Sequence, residues 1–236
     1  MQFTIQEIAR MVDLTAVRAD SDEAEVRALA ETAQMYQCLC VCTLPSLTPL
    51  LGELLADQPS IRLVGAVGFP SGSHTTAIKV AEARELLHMG CGELDMVINV
   101  GLLRSGLYQR VLDDMRAVVE VAGRVPVKVI LECHYLSEAE IRKGCELCIQ
   151  AGAAFVKTST GWAPSGATPE NVALIKSCVG DAIAIKAAGG IRSLDMLVEL
   201  YRLGARRFGI GVNSALKIFE ECAARSSNMM GYPAPS

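Results

Sequence analysis

The segment Gly90-Cys91-Gly92-Glu93-Leu94-Asp95-Met96-Val97-Ile98-Asn99 closes a helical stretch on a glycine and then runs into an apolar strand that carries a carboxylate. Side chains alternate across a strand, so Leu94, Met96 and Ile98 share one face while Asp95, Val97 and Asn99 share the other. The same step recurs along the chain. Gly123, Gly152 and Gly204 each follow a helical stretch, as a left-handed C-terminal cap does, and each precedes a strand. Five residues beyond these four glycines stand Asp95, Lys128, Lys157 and Gly209. Helix, glycine, strand is the ordinary way such units are joined. A charge set inside the strand is not.

Outward from this unit, strand-like runs fall at 12–14, 38–43, 61–67, 94–98, 127–132, 154–157, 183–186 and 206–210. Capping signals at Thr4 to Glu7, Ser137 to Glu140 and Thr168-Pro169-Glu170 open helices between them. Eight strands alternating with helices in 236 residues predict an α/β fold, a (β/α)8 TIM barrel rather than an open doubly wound sheet. No Pro/Ser-rich linker, charge block or low-complexity tract breaks residues 1–236. A single barrel domain is expected, with a short N-terminal helical segment and a C-terminal tail.

Composition narrows the function classes. Lys plus Arg is 22 against Asp plus Glu at 26, a net charge of -4, whereas a nucleic-acid or acidic-membrane partner calls for a basic face. Hydrophobic residues at 51% exclude disorder, and aromatics at 5% leave a core of Ala, Val, Leu and Ile. No apolar run approaches the roughly 18 residues of a membrane span. Met1-Gln2-Phe3-Thr4 lacks the basic and apolar regions of a signal peptide, which sets the expectation of a cytoplasmic protein.

Nine cysteines, an odd number, fit that compartment as reduced thiols. Cys38, Cys40 and Cys42 alternate along one run, and Cys145-x-x-Cys148 lies in a helical stretch without a second pair to complete a four-ligand site. His74, His88 and His134 lack ligand spacing. Neither a metal nor a cofactor is expected, and the thiols read as small apolar core groups.

In a barrel the helix-facing side of each strand is apolar and the other side points inward. In the run at 127–132, Val127, Val129 and Leu131 face the helices, leaving Lys128, Ile130 and Glu132 inside. Lys157 shares a face with Phe155, and Lys186 shares one with Ala184. The pattern therefore gathers Asp95, Lys128, Glu132, Lys157 and Lys186 in one interior. Ionised groups are rarely buried unless paired, and a paired set is often no better than a hydrophobic replacement. Lys128 with Glu132 reads as an ion pair of that structural kind.

Lys157 and Lys186 read differently. Both stand at strand C-terminal ends, where barrel enzymes place their sites, and run into the loops Thr158-Ser159-Thr160-Gly161 and Ala187-Ala188-Gly189-Gly190. Desolvation and mutual repulsion both disfavour an ammonium there, so one amine can be neutral near pH 7. A neutral lysine amine attacks carbonyls to form a Schiff base, whose protonated iminium accepts electrons from a neighbouring carbon–carbon bond. Asp95 can carry the proton this chemistry needs. The face pattern leaves open which lysine is the nucleophile. An isomerase using Asp95 or Glu132 as base, or a non-catalytic phosphosugar-binding regulator, has no need of two interior lysines. After the seventh and eighth strands, Gly189-Gly190 and Gly209-x-Gly211 precede helices with Ser193 and Asn213 as N-caps, positions that commonly bind phosphate.

Four motifs together carry a resemblance. They are Leu94-Asp95-Met96-Val97-Ile98-Asn99, Val156-Lys157-Thr158-Ser159-Thr160-Gly161, Ile185-Lys186-Ala187-Ala188-Gly189-Gly190-Ile191-Arg192, and Val67-Gly68-Phe69-Pro70-Ser71-Gly72 with Thr75-Thr76-Ala77-x-Lys79. In this order, from about Asp13 to Lys217, the chain resembles the 2-deoxyribose-5-phosphate aldolase family. The resemblance implies a metal-independent Schiff-base aldolase that reversibly cleaves 2-deoxy-D-ribose 5-phosphate to acetaldehyde and D-glyceraldehyde 3-phosphate. It implies Lys157 as the Schiff-base lysine, Lys186 as the neighbour that lowers its pKa, and Asp95 in the proton relay. Thr15 and Cys42 fall where the family lines its substrate pocket, and Thr160, Gly161, Gly189, Gly190 and Gly209 fall on its sugar- and phosphate-binding loops. Partners are then small phosphosugars and aldehydes, with a homodimer left open as the assembly. Two positions depart from the family pattern: Leu14 replaces a common histidine, and Ile210-Gly211-Val212 replaces a usual serine pair. An aldolase acting on another aldehyde or an unphosphorylated sugar is the alternative those departures raise.

Overall fold

The computed structural model describes residues 3–229. Gly231-Tyr232-Pro233 of the C-terminal tail lie outside the described residues. Eight parallel strands close on themselves in chain order: β1 (Val12–Ala16), β2 (Cys40–Thr43), β3 (Arg62–Val67), β4 (Glu93–Val97), β5 (Val127–Ile130), β6 (Phe155–Lys157), β7 (Ala184–Ala188) and β8 (Arg207–Gly211). Helices α1 (Ile5–Ala9), α2 (Glu23–Tyr36), α3 (Thr48–Leu54), α4 (Thr76–His88), α5 (Val100–Arg104), α6 (Tyr108–Ala122), α7 (Glu138–Ala151), α8 (Pro169–Val179), α9 (Leu194–Arg202) and α10 (Val212–Met229) precede, connect and follow the strands. This is the (β/α)8 barrel that the alternation predicts.

The helices start where the sequence signals them. Thr4 and Ser137 each form a capping box with the glutamate three residues on, satisfying two orphan amides reciprocally. Thr168 caps α8 ahead of Pro169, and Ser193 caps α9. The alternation of faces also holds. Leu94, Met96 and Ile98, with Val127, Val129 and Leu131, belong to the layer between strands and helices. A smaller apolar patch of Cys40, Cys42, Val64 and Ala66 lies apart from it. The cysteines from Cys38 to Cys178 are free thiols, all buried except Cys178, which is half-buried.

Three expectations are corrected. Cys38 does not belong to a strand: its N–H closes the end of α2 on the Ala33 carbonyl, after Gln37 turns left-handed at φ 53°. Glu132 lies beyond β5, because pairing with β6 stops at Ile130 and the chain turns at Glu132 with φ 55°. Asn213 sits inside α10 rather than capping it, since β8 ends at Gly211 and the helix begins at the next residue.

Two close approaches position the site, and each requires a glycine. A Cβ on Gly166 would stand 2.2 Å from the Gly189 carbonyl oxygen, so the β6–α8 and β7–α9 loops meet backbone to backbone. A Cβ on Gly209 would meet the Ala188 Cβ at 2.9 Å and Lys186 Cε at 3.4 Å, so this glycine leaves room for the lysine stem beside it.

Candidate active site

Register brings the charges together. Asp95 lies beside Lys128 on β5, Lys157 beside Lys186 across β6 and β7, and Lys186 beside Arg207 on β8. Asp95 is the junction. Its Oδ2 accepts from Lys157 Nζ and Lys186 Nζ, each at 2.7 Å, and its Oδ1 accepts from Lys128 Nζ at 2.8 Å. Lys186 also donates to Asp13, and Lys128 pairs with Glu93 at 2.7 Å. Asp13, Glu93 and Asp95 thus face Lys128, Lys157, Lys186 and Arg207, so this buried array holds one basic group more than it has carboxylates.

The electrostatics separate the lysines. Burial, with the charge of Lys186 behind it, pulls the Lys157 amine below its ordinary range against the attraction of Asp95. Burial acts the same way on Lys186, but Asp13 and Asp95 outweigh it and raise that pKa. At Lys128 burial is likewise outweighed, by Asp95, Asp13 and Glu93. Burial opposes ionisation of Asp95, yet Lys128, Lys157 and Lys186 hold its carboxyl well below the usual range. The amine most ready to be neutral is therefore Lys157, which shares the ionised Asp95 carboxylate with Lys186.

Accessibility separates them too. A cavity of about 430 Å3 opens among the C-terminal strand ends, lined by Asp95 and Lys157 but by neither Lys128 nor Lys186. Lys157 retains 5% exposure while the other two have none. Thr15 and Cys42 line the same cavity, as do Thr160, Gly161, Gly189, Gly190 and Gly209. Burial pushes the Cys42 thiol up to about 11, so it stays a neutral wall near pH 7. Gly211, Val212, Asn213 and Ser214 complete the β8 side, with Arg18 and Arg192 contributing positive charge.

Glu132 and Lys79 are placed elsewhere. Glu132 makes no pair with Lys128, as the sequence pattern suggests it would. Instead its carboxylate accepts from the hydroxyl and the N–H of Thr160, because the turn at the end of β5 aims it at the β6 loop. It does not line the cavity, which removes it as a base for isomerisation. Lys79 is buried on α4, donating to Asp114 at 2.6 Å and to the Val97 carbonyl at 2.9 Å. It is a structural pair.

Asp13, Glu93 and Arg207 are absent from the interior charges read off the strand runs. Alternation alone could have found them, since Asp13 shares a face with Thr15, Glu93 with Asp95 and Arg207 with Gly209. Asp13, Cys40 and Glu93 bring ligand atoms within 4.8 Å of one another, a spacing suited to a metal. Arg207 Nη1 bonds to all of them, at 2.8 Å, 3.1 Å and 3.3 Å, so the chain supplies its own cation there. Phe69 and Trp162 also line the cavity and carry no periodic signal, because both lie in loops.

Comparison with known proteins bears on the chain as a whole. The family model of the DeoC/LacD family aldolases matches residues 8–221. A deoxyribose-phosphate aldolase of Klebsiella pneumoniae is 49% identical over 94% of this chain and 90% of its own length. One from Sinorhizobium medicae is 48% identical over 93% and 88%. The solved deoxyribose phosphate aldolase of Aeropyrum pernix, described as a tetramer, superposes with a TM-score of 0.86 at 29% identity, covering 94% of this chain and 93% of its own. With the family model spanning most of the chain and relatives of matched length at up to 49% identity, the chain belongs to the DeoC/LacD family of aldolases.

Proposed function

We propose that this protein is a Schiff-base aldolase that reversibly cleaves 2-deoxy-D-ribose 5-phosphate to D-glyceraldehyde 3-phosphate and acetaldehyde, with Lys157 as nucleophile. The observation that carries the assignment is that Lys157 is the buried lysine that opens onto the cavity, and its pKa is lowered where that of Lys186 is raised. The names of the relatives support the substrate.

The Lys157 amine adds to C1 of the open-chain sugar, and loss of water gives the iminium. Removal of the C3 hydroxyl proton then lets the C2–C3 bond break. Its electron pair moves into the iminium to give an enamine, and the three-carbon aldehyde leaves. Protonation of the enamine carbon and hydrolysis release acetaldehyde and restore the amine. Asp95, 2.7 Å from both amines, hands protons between Lys157 and the substrate directly or through water. Lys186 stays protonated and holds Lys157 down. Thr15 and Cys42 wall the two-carbon end. Thr160, Gly161, Gly189, Gly190 and Gly209 receive the sugar and its phosphate, the last helped by backbone N–H groups and the N-termini of α9 and α10.

The reading takes the whole chain as one catalytic domain in the cytoplasm, in keeping with its free thiols. It takes a homodimer as the working assembly, with self-association of the Aeropyrum pernix relative in support. Sedimentation of the purified chain checks the last point. The chemical test is a trap. Borohydride with acetaldehyde is expected to leave a reduced two-carbon adduct on Lys157, located by peptide mass, and Lys157→Ala is expected to abolish both trapping and turnover. An adduct found on Lys128 or Lys186 alone overturns the assignment.

A further inference from the structure

Trp162 is the sole tryptophan of the chain and is 44% exposed. Its indole does not simply project into solvent. Nε1 donates to the Val17 carbonyl at 2.7 Å, reaching from the β6–α8 loop to the β1–α2 loop. The ring meets Phe69, from the β3–α4 loop, edge to face, with centroids 5.9 Å apart and planes at 88°. An edge-to-face pair of this kind adds attraction beyond the area it covers. The other end of the residue is fixed as well. Its backbone N–H donates to Thr160 Oγ1 at 3.0 Å, and that hydroxyl in turn donates to the buried Glu132. Carboxylate, threonine and indole thus form one line of hydrogen bonds from the end of β5 to the end of β1.

The line has a consequence for the cavity. Around the barrel, β6 and β1 are separated by β7 and β8, so the Trp162–Val17 bond bridges the mouths of those two strands. On that side of the cavity stand Gly189, Gly190, Gly211 and Arg192, where backbone N–H groups and a guanidinium can meet an anion. Gly211 and Val212 offer no hydroxyl there. Attraction of a dianion to such donors strengthens as water is excluded, because the effective dielectric falls.

We propose that Trp162 is a substrate-selecting residue: a strap that screens the β7–β8 side of the cavity from solvent and so favours a phosphorylated over an unphosphorylated sugar. The inference rests on the aldolase reading above and adds to it the residue that sets phosphate preference. An uncharged sugar gains little from screening, so the strap acts on the ratio between the two substrates rather than on the chemical step.

Trp162→Phe removes the N–H while keeping a ring against Phe69, and Trp162→Ala removes both contacts. With deoxyribose 5-phosphate, kcat/KM is expected to fall about three- to tenfold in the first variant, the scale of one hydrogen bond, and further in the second. The fall is carried by KM, and the preference over deoxyribose narrows with it. The native protein supplies a second readout. With a single tryptophan, its intrinsic emission reports the strap alone, and titration with inorganic phosphate is expected to change that emission while deoxyribose does not. An unchanged preference in Trp162→Ala, equal losses for both sugars, or emission indifferent to phosphate each overturns the inference. Failure of the aldolase reading itself shows differently, as native protein that traps no acetaldehyde on Lys157.

Discussion

At Lys157 two opposed influences set the amine. Burial and Lys186 favour the neutral form, and Asp95 favours the ammonium. Lys186 shares Asp95 Oδ2 with Lys157, so removing it acts twice: a repelling charge disappears, and Asp95 is left with fewer cations to satisfy. Both changes raise the Lys157 pKa. In Lys186→Leu the limb of the kcat/KM profile that rises with pH is therefore expected to move to higher pH by about a unit or more. At fixed pH below that limb, a one-unit rise means roughly tenfold less neutral amine, recovered on making the solution more alkaline. The pH dependence of borohydride trapping measures this separately from turnover. A slower enzyme with an unmoved limb leaves Lys186 a proton carrier and nothing more.

The β8–α10 junction tests the phosphate end. Here the strand passes directly into the helix, and Gly211 and Val212, where the resemblance implies a serine pair, line the cavity. A Cβ on Gly211 meets nothing nearer than the Thr15 carbonyl at 3.8 Å, so a serine fits. Val212 packs in part against the outer core, and its exchange sacrifices some of that contact. A hydrogen bond to a charged group contributes roughly 1.5–3 kcal/mol, or about ten- to a hundredfold in affinity. Gly211→Ser with Val212→Ser is accordingly expected to lower KM for deoxyribose 5-phosphate and leave deoxyribose nearly unaffected. Steady-state kinetics on both sugars decide it. If their ratio stays constant in a folded variant, backbone groups hold the phosphate unaided.

Across the whole molecule, the interior array also ties the last strand to the others, in addition to its ladders with β1 and β7. Arg207 on β8 reaches Asp13 on β1 and Glu93 on β4, spanning the barrel interior next to the β1–β8 seam. Its loss leaves Asp13 Oδ1 without that donor, while Asp13 keeps Lys186 and Glu93 keeps Lys128, so the cost is that of an unsatisfied buried acceptor, about 1–3 kcal/mol. At about 2–4 °C per kcal/mol for a chain of this size, Arg207→Ala is expected to lower Tm by roughly 2–12 °C. Thermal unfolding followed by circular dichroism checks it, and an unchanged Tm contradicts a closing role. All three contacts run through Nη1, so Arg207→Lys is expected to recover part of the loss, as far as its shorter stem brings the ammonium to the same place.

Periodicity and local caps are properties of neighbours in the chain, so the amino-acid sequence displays them directly. Leu94, Met96 and Ile98 against Asp95 declare which face is inward, Thr4 and Ser137 declare helix starts, and the recurring glycines declare the βα unit. The buried set of Asp95, Lys128, Lys157 and Lys186 follows from the same alternation. What alternation cannot give is distance across the barrel. Lys128 and Glu132 share a face by spacing, yet strand pairing ends at Ile130, and Glu132 turns to Thr160 instead. Lys157 and Lys186 read alike in sequence, but depth separates them: one amine opens onto the cavity while the other is held between Asp13 and Asp95. Trp162 offers no pattern at all, since a loop has no period and its partners Val17 and Phe69 are remote in the chain. The barrel and four of its interior charges, Asp95, Lys128, Lys157 and Lys186, follow from spacing along the chain; Asp13, Glu93 and Arg207 are not among those read from it, and Glu132, read as inward, turns away to Thr160. Tertiary structure alone decided which charge meets which, because that depends on strand register and loop path.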